Sequence, residues 1–295
     1  MSVTISAVEV KKLREATDAG MMDCKKALVQ AEGDMDKAIQ ILREKLAIKA
    51  DKRSVKVAAE GSVMIKISAD AQSAVMLELN CETDFVSRDE NFLQFSSALV
   101  NRAESMKLSS VDELMSASVS DSDNQSFEAA RKELSSKTGE NVKLRRVVAA
   151  NGVCVGGYSH GQKIGVLVTL DKMNPELAKD IAMHIAATNP QAIDQSGLDQ
   201  TLIAKEREIY TVQAKDTGKP EAIIEKMVEG RIRKYVDEVC LVGQSFVKDP
   251  DQTVGKLLAS HDANVVSFVR YELGEGIEKE TVDFAAEVQA QLKGE

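Results

Sequence analysis

The side chains of this 295-residue chain best suited to nucleophilic or metal chemistry are four cysteines and three histidines. Cys24, Cys81, Cys154 and Cys240 lie 57, 73 and 86 residues apart, so no CxxC exists to make a local zinc knuckle or dithiol redox pair. His160, His184 and His261 are equally dispersed, and only long-range folding could gather them around a metal. No dinucleotide fingerprint, phosphate-binding P-loop or HExxH helix is present. Glu82 and Asp84 flank Cys81 and disfavour its thiolate, and His160 sits in a glycine-rich turn where an imidazole faces water. Spacing names no general acid–base pair. An enzyme is the weaker reading, and a thiol enzyme built on Cys81 is its testable form.

The most informative segment is Glu78-Leu79-Asn80-Cys81-Glu82-Thr83-Asp84-Phe85-Val86-Ser87-Arg88. It joins a strand pattern to a helix pattern, so it is a connecting loop, where Phe85 and Val86 need a reason to be apolar. One reading is local: Asp84 caps a short helical turn and Phe85 staples it to the core. The other is a rigid acidic-aromatic tip aimed at a partner.

The elements around that tip follow from periodicity. Residues 6–52 read as three short helices: Val10 and Leu13 share a face, Thr17–Gly20 breaks the first helix, and Met22–Leu28 carries the second. Gly33 fits a left-handed C-cap, Asp34 an N-cap, and Ala38, Ile39 and Leu42 give the third helix an apolar face. The charged run Lys49–Ser54 reads as a mobile link. From Gly61 the period becomes two: Val63, Ile65 and Ile67, then Val75, Leu77 and Leu79, make a β-hairpin with one buried face. A helix over Asn91–Arg102 buries Phe92, Phe95 and Leu99; a polar helical stretch to Ser136 and a strand at Val142–Ala150 follow.

The same order recurs. Gly152–Val155 opens a strand, His160–Lys163 turns, Ile164–Leu170 returns and Pro175–Ala187 is a helix, while Asn264–Tyr271 echoes Asn141–Val147. Gly61 to Gly152 is an offset of 91 and Asn141 to Asn264 one of 123, so about 32 residues are inserted in the second copy. The insertion reads as a helical hairpin, Leu198–Thr217 and Glu221–Val239, broken at Gly218-Lys219-Pro220 and seamed by Ile203, Ile209, Val212, Ile224, Met227, Val228 and Ile232. It projects for self-association or packs on its parent. Val282, Phe284, Ala285 and Val288 suggest a final amphipathic helix within Gly274–Lys293. The expected architecture is α+β. A three-helix module spans 1–55, the first core unit 56–151, and the second core unit 152–192 with 242–276. The inserted hairpin takes 193–241 and a C-terminal helical module 277–295.

Composition sets limits. Thirty-eight Lys and Arg against 47 Asp and Glu give a net charge of −9, and 43% hydrophobic with 29% charged residues suits a soluble globular chain. No dense basic tract offsets the acidity and aromatics are 4% with no Trp, which argues against direct nucleic-acid binding. No run of 18 apolar residues spans a membrane, and Met1-Ser2-Val3-Thr4 lacks the basic start of a secretory signal. Reduced thiols in the cytoplasm are expected.

Two long motifs then converge. Leu13-Arg14-Glu15-Ala16-Thr17-Asp18-Ala19-Gly20-Met21-Met22-Asp23-Cys24-Lys25-Lys26-Ala27-Leu28 resembles one signature of the bacterial elongation factor Ts family, and Glu78 to Arg88, with Thr83-Asp84-Phe85-Val86, resembles the other. The resemblance covers essentially the whole chain. It implies a non-enzymatic guanine-nucleotide exchange factor for elongation factor Tu, using no cofactor or metal of its own. The three helices look like a ubiquitin-associated domain that docks on the partner's G domain, with Lys11, Arg14, Met21, Met22 and Lys25 at contact positions. From the residues alone, Met21 and Met22 read as core. By resemblance Phe85 displaces partner side chains near the nucleotide's magnesium and Asp84 is the polar contact beside it. Gly139, His160 and Val247 match further contacts. Thr138 and Lys248 depart from the apolar residues usual beside two of these. The hairpin supports dimer contacts in some family members. A ubiquitin-associated-type adaptor that leaves nucleotide alone is the rival binding class.

Overall fold

A computed structural model describes residues 5–17, 19–216 and 218–278. Helices α1 (Ala7–Thr17), α2 (Met21–Gln30) and α3 (Met35–Arg53) open the chain and bury Leu13, Cys24, Ala27, Leu28, Ala38 and Leu42 together. At the end of α2 Gly33 is left-handed, at φ 88°, as expected, Glu32 before it is left-handed too, at φ 54°, and Gly33 donates its N–H to the Leu28 carbonyl at 2.9 Å. Asp34 caps α3, its Oδ1 accepting the Lys37 N–H at 3.0 Å. The expected link at Lys49–Ser54 is instead helix as far as Arg53, because the run has no Gly or Pro and its Lys, Ala and Arg extend a helix cheaply.

The first core unit is an antiparallel sheet of β1 (Glu60–Ile67), β2 (Ser73–Cys81) and β5 (Lys143–Asn151), with β2 in the middle. Between β2 and β5 run α4 (Asp84–Ser87), α5 (Glu90–Met106), α6 (Val111–Ser116), a small hairpin β3 (Ser118–Ser120) and β4 (Asp123–Ser126), and α7 (Phe127–Thr138). The second unit repeats this wiring. Strands β6 (Cys154–His160) and β7 (Ile164–Leu170) lead to α8 (Pro175–Thr188) and the inserted α9 (Gln200–Lys215) and α10 (Glu221–Val239). A hairpin of β8 (Ser245–Phe246) and β9 (Asp249–Thr253), then α11 (Val254–Ser260), precede β10 (Val265–Glu272), which pairs with the middle strand β7. The architecture is α+β, as expected.

Both small hairpins escape a periodicity reading, since strands of two to five mostly polar residues carry no alternation. The one-faced hairpin is also corrected: β2 is buried on both faces from Ala74 to Cys81. Val75, Leu77, Leu79 and Cys81 meet the α5–α7 side, whereas Ala74 and Met76 pack with Val155 and Leu167 of the other sheet. Gly165 permits that approach, because a Cβ there would fall 2.6 Å from Val63 Cγ1 and 2.8 Å from Met76 Sδ.

At the rim between the sheets lies Glu78, fully buried. Its carboxylate accepts hydrogen bonds from Asn80 Nδ2 at 3.0 Å, the Gly274 N–H at 2.8 Å, Arg145 Nη1 at 3.1 Å and Arg146 Nε at 2.5 Å. Burial alone raises its pKa, but those donors outweigh burial and hold it below the usual carboxylate value. The network ties β2 and β5 to the segment that follows β10.

In the inserted hairpin the buried seam is Ile203 and Ala214 against Ile224, Val228 and Ile232. Ile209 and Val212 were expected in that seam but face water, since they fall off the 203–214 stripe of α9. The helix expected on Val282, Phe284, Ala285 and Val288 lies outside the described residues.

Candidate functional site

The tip is built by short-range hydrogen bonds at the end of β2. Thr83 is extended, at φ −125° and ψ 157°, and caps α4 by accepting the Val86 N–H on Oγ1 at 3.4 Å. Ser87 Oγ donates to the Asp84 carbonyl at 2.8 Å, and Arg88 Nη2 donates to Asp84 Oδ2 at 3.0 Å. Asp89 then caps α5 through the Asn91 N–H at 2.9 Å. Val86 packs against the first unit's core. Phe85 does not: it is 83% exposed. The local reading therefore fails in detail, with Thr83 as the cap in place of Asp84 and Val86 as the staple in place of Phe85.

Long-range bonds fix the base of the turn. Glu140 Oε2 accepts the N–H groups of Glu82 and Thr83, both at 3.0 Å, and Oε1 accepts the Thr83 hydroxyl at 2.6 Å. Glu82 answers across the same gap: Oε1 accepts the Asn141 N–H at 2.7 Å and Oε2 pairs with Lys56 Nζ at 3.0 Å. Asn141 Nδ2 donates to the carbonyls of Ser54 at 3.3 Å and Lys56 at 2.8 Å, joining the stretch after α3 to this anchor. Gly139 closes α7 at φ 79° and aims the chain so that Glu140 meets the tip. Thr138 has a polar role at its position, for its Oγ1 accepts the Glu140 N–H at 3.4 Å. Glu82, Glu140 and Asn141 were missed as site residues. Glu140 lies 57 and 58 residues from the amides it holds, and nothing local in the sequence signals the pairing.

Cys81 is buried and donates to the Thr83 carbonyl at 3.1 Å. Burial first, then the carboxylates of Glu140 and Glu60, push its pKa up to about 12. Buried and held toward its protonated form, this thiol is a poor nucleophile, which argues against the thiol-enzyme reading. The string Gly157-Tyr158-Ser159-His160-Gly161 has the spacing of a nucleophile elbow. It ends β6 and turns directly into antiparallel β7, so the strand–turn–helix that such an elbow requires is absent there.

The other sequence-derived residues lie on separate elements. Met21 and Met22, read as core from the residues alone, are 59% and 65% exposed, because Cys24, Ala27 and Leu28 take the inward face of α2. Lys11, Arg14 and Lys25 are exposed nearby, Lys11 forming a 3.7 Å pair with Glu15. His160 is exposed at the end of β6, 3.3 Å from the Tyr158 hydroxyl through Nδ1. Its turn is tied to both sheets, since Gln162 and Lys163 carbonyls accept the N–H groups of Val63 at 2.8 Å and Leu273 at 2.7 Å. Val247 is exposed and donates its N–H to Nδ1 of buried His184 at 3.3 Å. Lys248, the second departure, pairs with Asp180 at 2.5 Å. Thr83, Asp84, Phe85, Val86 and Gly139 thus share one locality. His160, Val247 and the residues of the first two helices stand on other elements, with Tyr158, His184 and Glu15 as partners of His160, Val247 and Lys11. Among the described residues no three metal-ligand residues converge, and no helix is long and apolar enough to cross a membrane.

The sequence of this anchored tip is shared. The family model described as Elongation factor TS matches residues 82–275, opening at Glu82 and taking in the tip, its Glu140 anchor, β5 and the second sheet. The chain belongs to the elongation factor Ts family. It is 53% identical to elongation factor Ts of Thioalkalivibrio sulfidiphilus over 295 residues, covering 99% of this chain and 100% of the relative. It is also 53% identical to the Hahella chejuensis elongation factor Ts, with 98% and 99% covered, and 48% identical to that of Coxiella burnetii, with 99% of each covered. Membership in the elongation factor Ts family assigns the chain to translation elongation in protein biosynthesis.

Proposed function

We propose that this chain is a guanine-nucleotide exchange factor for elongation factor Tu, and that Phe85 on its anchored turn is the group that loosens the partner's nucleotide site. The single observation that carries this reading is an aromatic ring 83% exposed on a turn held from both sides. Water penalises that ring at about 25 cal/mol per Å² of apolar surface, so an exposed Phe on a stiff support is suited to burial in another molecule. Asp84 supplies the polar contact beside it.

The mechanism is linkage. Nanomolar binding is worth about −12 kcal/mol, so a nucleotide held by phosphate and magnesium contacts leaves slowly until part of that grip is undone. A partner contact undoes it only by binding the nucleotide-poor conformation better, and nucleotide must weaken the protein–protein complex by the same factor. Phe85 brings volume and no cation, so it disturbs metal coordination without replacing the metal. The exposed Met21 and Met22 with Lys11, Arg14 and Lys25 form a first docking face, and Val247 and His160 offer contacts from the second unit. The outward Ile209 and Val212 of the hairpin are available to a second copy of the chain. In this scheme the chain makes and breaks no covalent bond.

Release of fluorescent GDP from elongation factor Tu, with and without the chain, tests the reading. Acceleration is expected, and Phe85→Ala should remove most of it while leaving the fold intact. An adaptor that only docks would leave the release rate unchanged.

A further inference from the structure

We infer that Glu140 is a positioning residue for nucleotide release: its carboxylate sets the presentation of Phe85 without touching the partner's nucleotide site itself. This inference rests on the wedge reading of Phe85. Three donors of the tip's base converge on one carboxylate, namely the N–H groups of Glu82 and Thr83 and the Thr83 hydroxyl. The same hydroxyl oxygen accepts the Val86 N–H that closes the turn carrying Phe85, so Glu140 orients the cap itself. Asp84 and Phe85 follow directly in the chain, and α4 is only four residues long. So short a helical turn is marginal by itself and depends on its cap and anchor for a fixed direction.

Glu140 is in turn held in place. Ser135 Oγ donates to its carbonyl at 2.5 Å, Thr138 Oγ1 accepts its N–H at 3.4 Å, and Gly139 supplies the left-handed step before it. The second core unit provides an internal control. Its Asp171 carboxylate accepts the Asn264 N–H at 2.7 Å, as Glu82 does for Asn141, and Asp262 takes the left-handed step at φ 48° where Gly139 stands in the first unit. Between that step and the asparagine stands Ala263, in the place of Glu140. The unit without an aromatic turn also lacks the carboxylate.

Glu140→Gln keeps the shape but removes the charge and one of the two acceptor oxygens, so the amide oxygen can still take the two backbone N–H groups while the Thr83 hydroxyl loses its acceptor. The maximal rate of catalysed GDP release should fall about tenfold, the scale of one or two charge-assisted hydrogen bonds, while the concentration giving half the maximal rate changes little. Amide hydrogen exchange at Thr83–Val86 should quicken in the same variant, with protection elsewhere in the first unit retained. Placed on a Phe85→Ala background, Glu140→Gln should add nothing further, because both changes act through one ring. Wild-type release by Glu140→Gln beside a slow Phe85→Ala sinks the positioning role and leaves the wedge standing. Wild-type release by Phe85→Ala sinks the wedge. Equal losses from Glu140→Gln with and without Phe85 would show that Glu140 acts on release by another route, and the inference would be wrong.

Discussion

The two core units use one plan and spend its most exposed corner differently. Each has a middle strand, β2 or β7, ending in a carboxylate that accepts the N–H of an asparagine just before the third strand: Glu82 with Asn141 at 2.7 Å, Asp171 with Asn264 at 2.7 Å. Each then passes through a helix, a small two-stranded hairpin and a second helix capped by Ser126 or Thr253. After Glu82 the first unit inserts the α4 turn and points Phe85 outward, with Glu140 beneath it. After Asp171 the second unit runs to Asn174, which caps α8 through the Leu177 N–H at 3.1 Å, and Ala263 replaces the anchor. The shared clasp is the scaffold; the turn with its carboxylate is an addition one copy carries. A second difference lies four residues upstream of the clasp, where Glu78 in β2 corresponds to Leu167 in β7, and both are buried between the sheets.

Substituting corresponding residues tests how far that comparison reaches. The largest effect is expected at the buried pair: Glu78→Gln leaves Arg145 and Arg146 without their carboxylate and should cost about 3–5 kcal/mol in denaturant unfolding, whereas Leu167→Met should cost less than about 1.5 kcal/mol. The same variant has a pH signature. Because folding holds the Glu78 pKa below its ordinary 4.5, its contribution is complete above that pH and is lost as pH falls through the lowered value. The wild-type chain should therefore lose stability on acidification below 4.5 more steeply than Glu78→Gln, as read by unfolding midpoints from pH 6 down to about pH 3. Equal slopes would refute the network's ionised state.

At the exposed corners the contrast becomes functional. Phe85→Ala should slow GDP release by more than about tenfold, and Met173→Ala, the exposed apolar residue just after the second clasp, should leave the rate within about twofold. Equal losses would mean that both corners act on nucleotide and that the asymmetry drawn here is false. Beside the clasps, Asn141→Ala removes two bonds of a buried side chain and should cost about 1–3 kcal/mol and slow release, whereas Asn264→Ala removes one exposed bond to Asp171 and should cost less than about 1 kcal/mol and leave release unchanged. The smallest effect belongs to Thr138→Val, which removes a single 3.4 Å acceptor under Glu140 and should change release by about twofold.

Much of this molecule is legible in the sequence, because much of it is local. Period-two and period-3.6 patterns mark the strands and long helices; Asp34 as a cap and Pro175 as a helix start follow from backbone chemistry that acts over a few residues. Thr83-Asp84-Phe85-Val86 stands out for the same reason, since an apolar pair in a polar loop needs a cause. What the sequence leaves open is long-range. Which of Phe85 and Val86 faces the core depends on where α5 and α7 leave room. Met21 and Met22 face water because other residues of α2 meet α1 and α3 first.

By itself, then, the sequence determined the long helices and main strands, the repeat and the insertion, for these follow from residue spacing along one chain. Only the tertiary structure decided that β2 has no wet face, that Ile209 and Val212 leave the hairpin seam, and that a glutamate 57 residues away steadies the tip. Those outcomes rest on hydrogen bonds and packing between segments far apart in sequence, whose geometry exists only once two sheets have closed on each other.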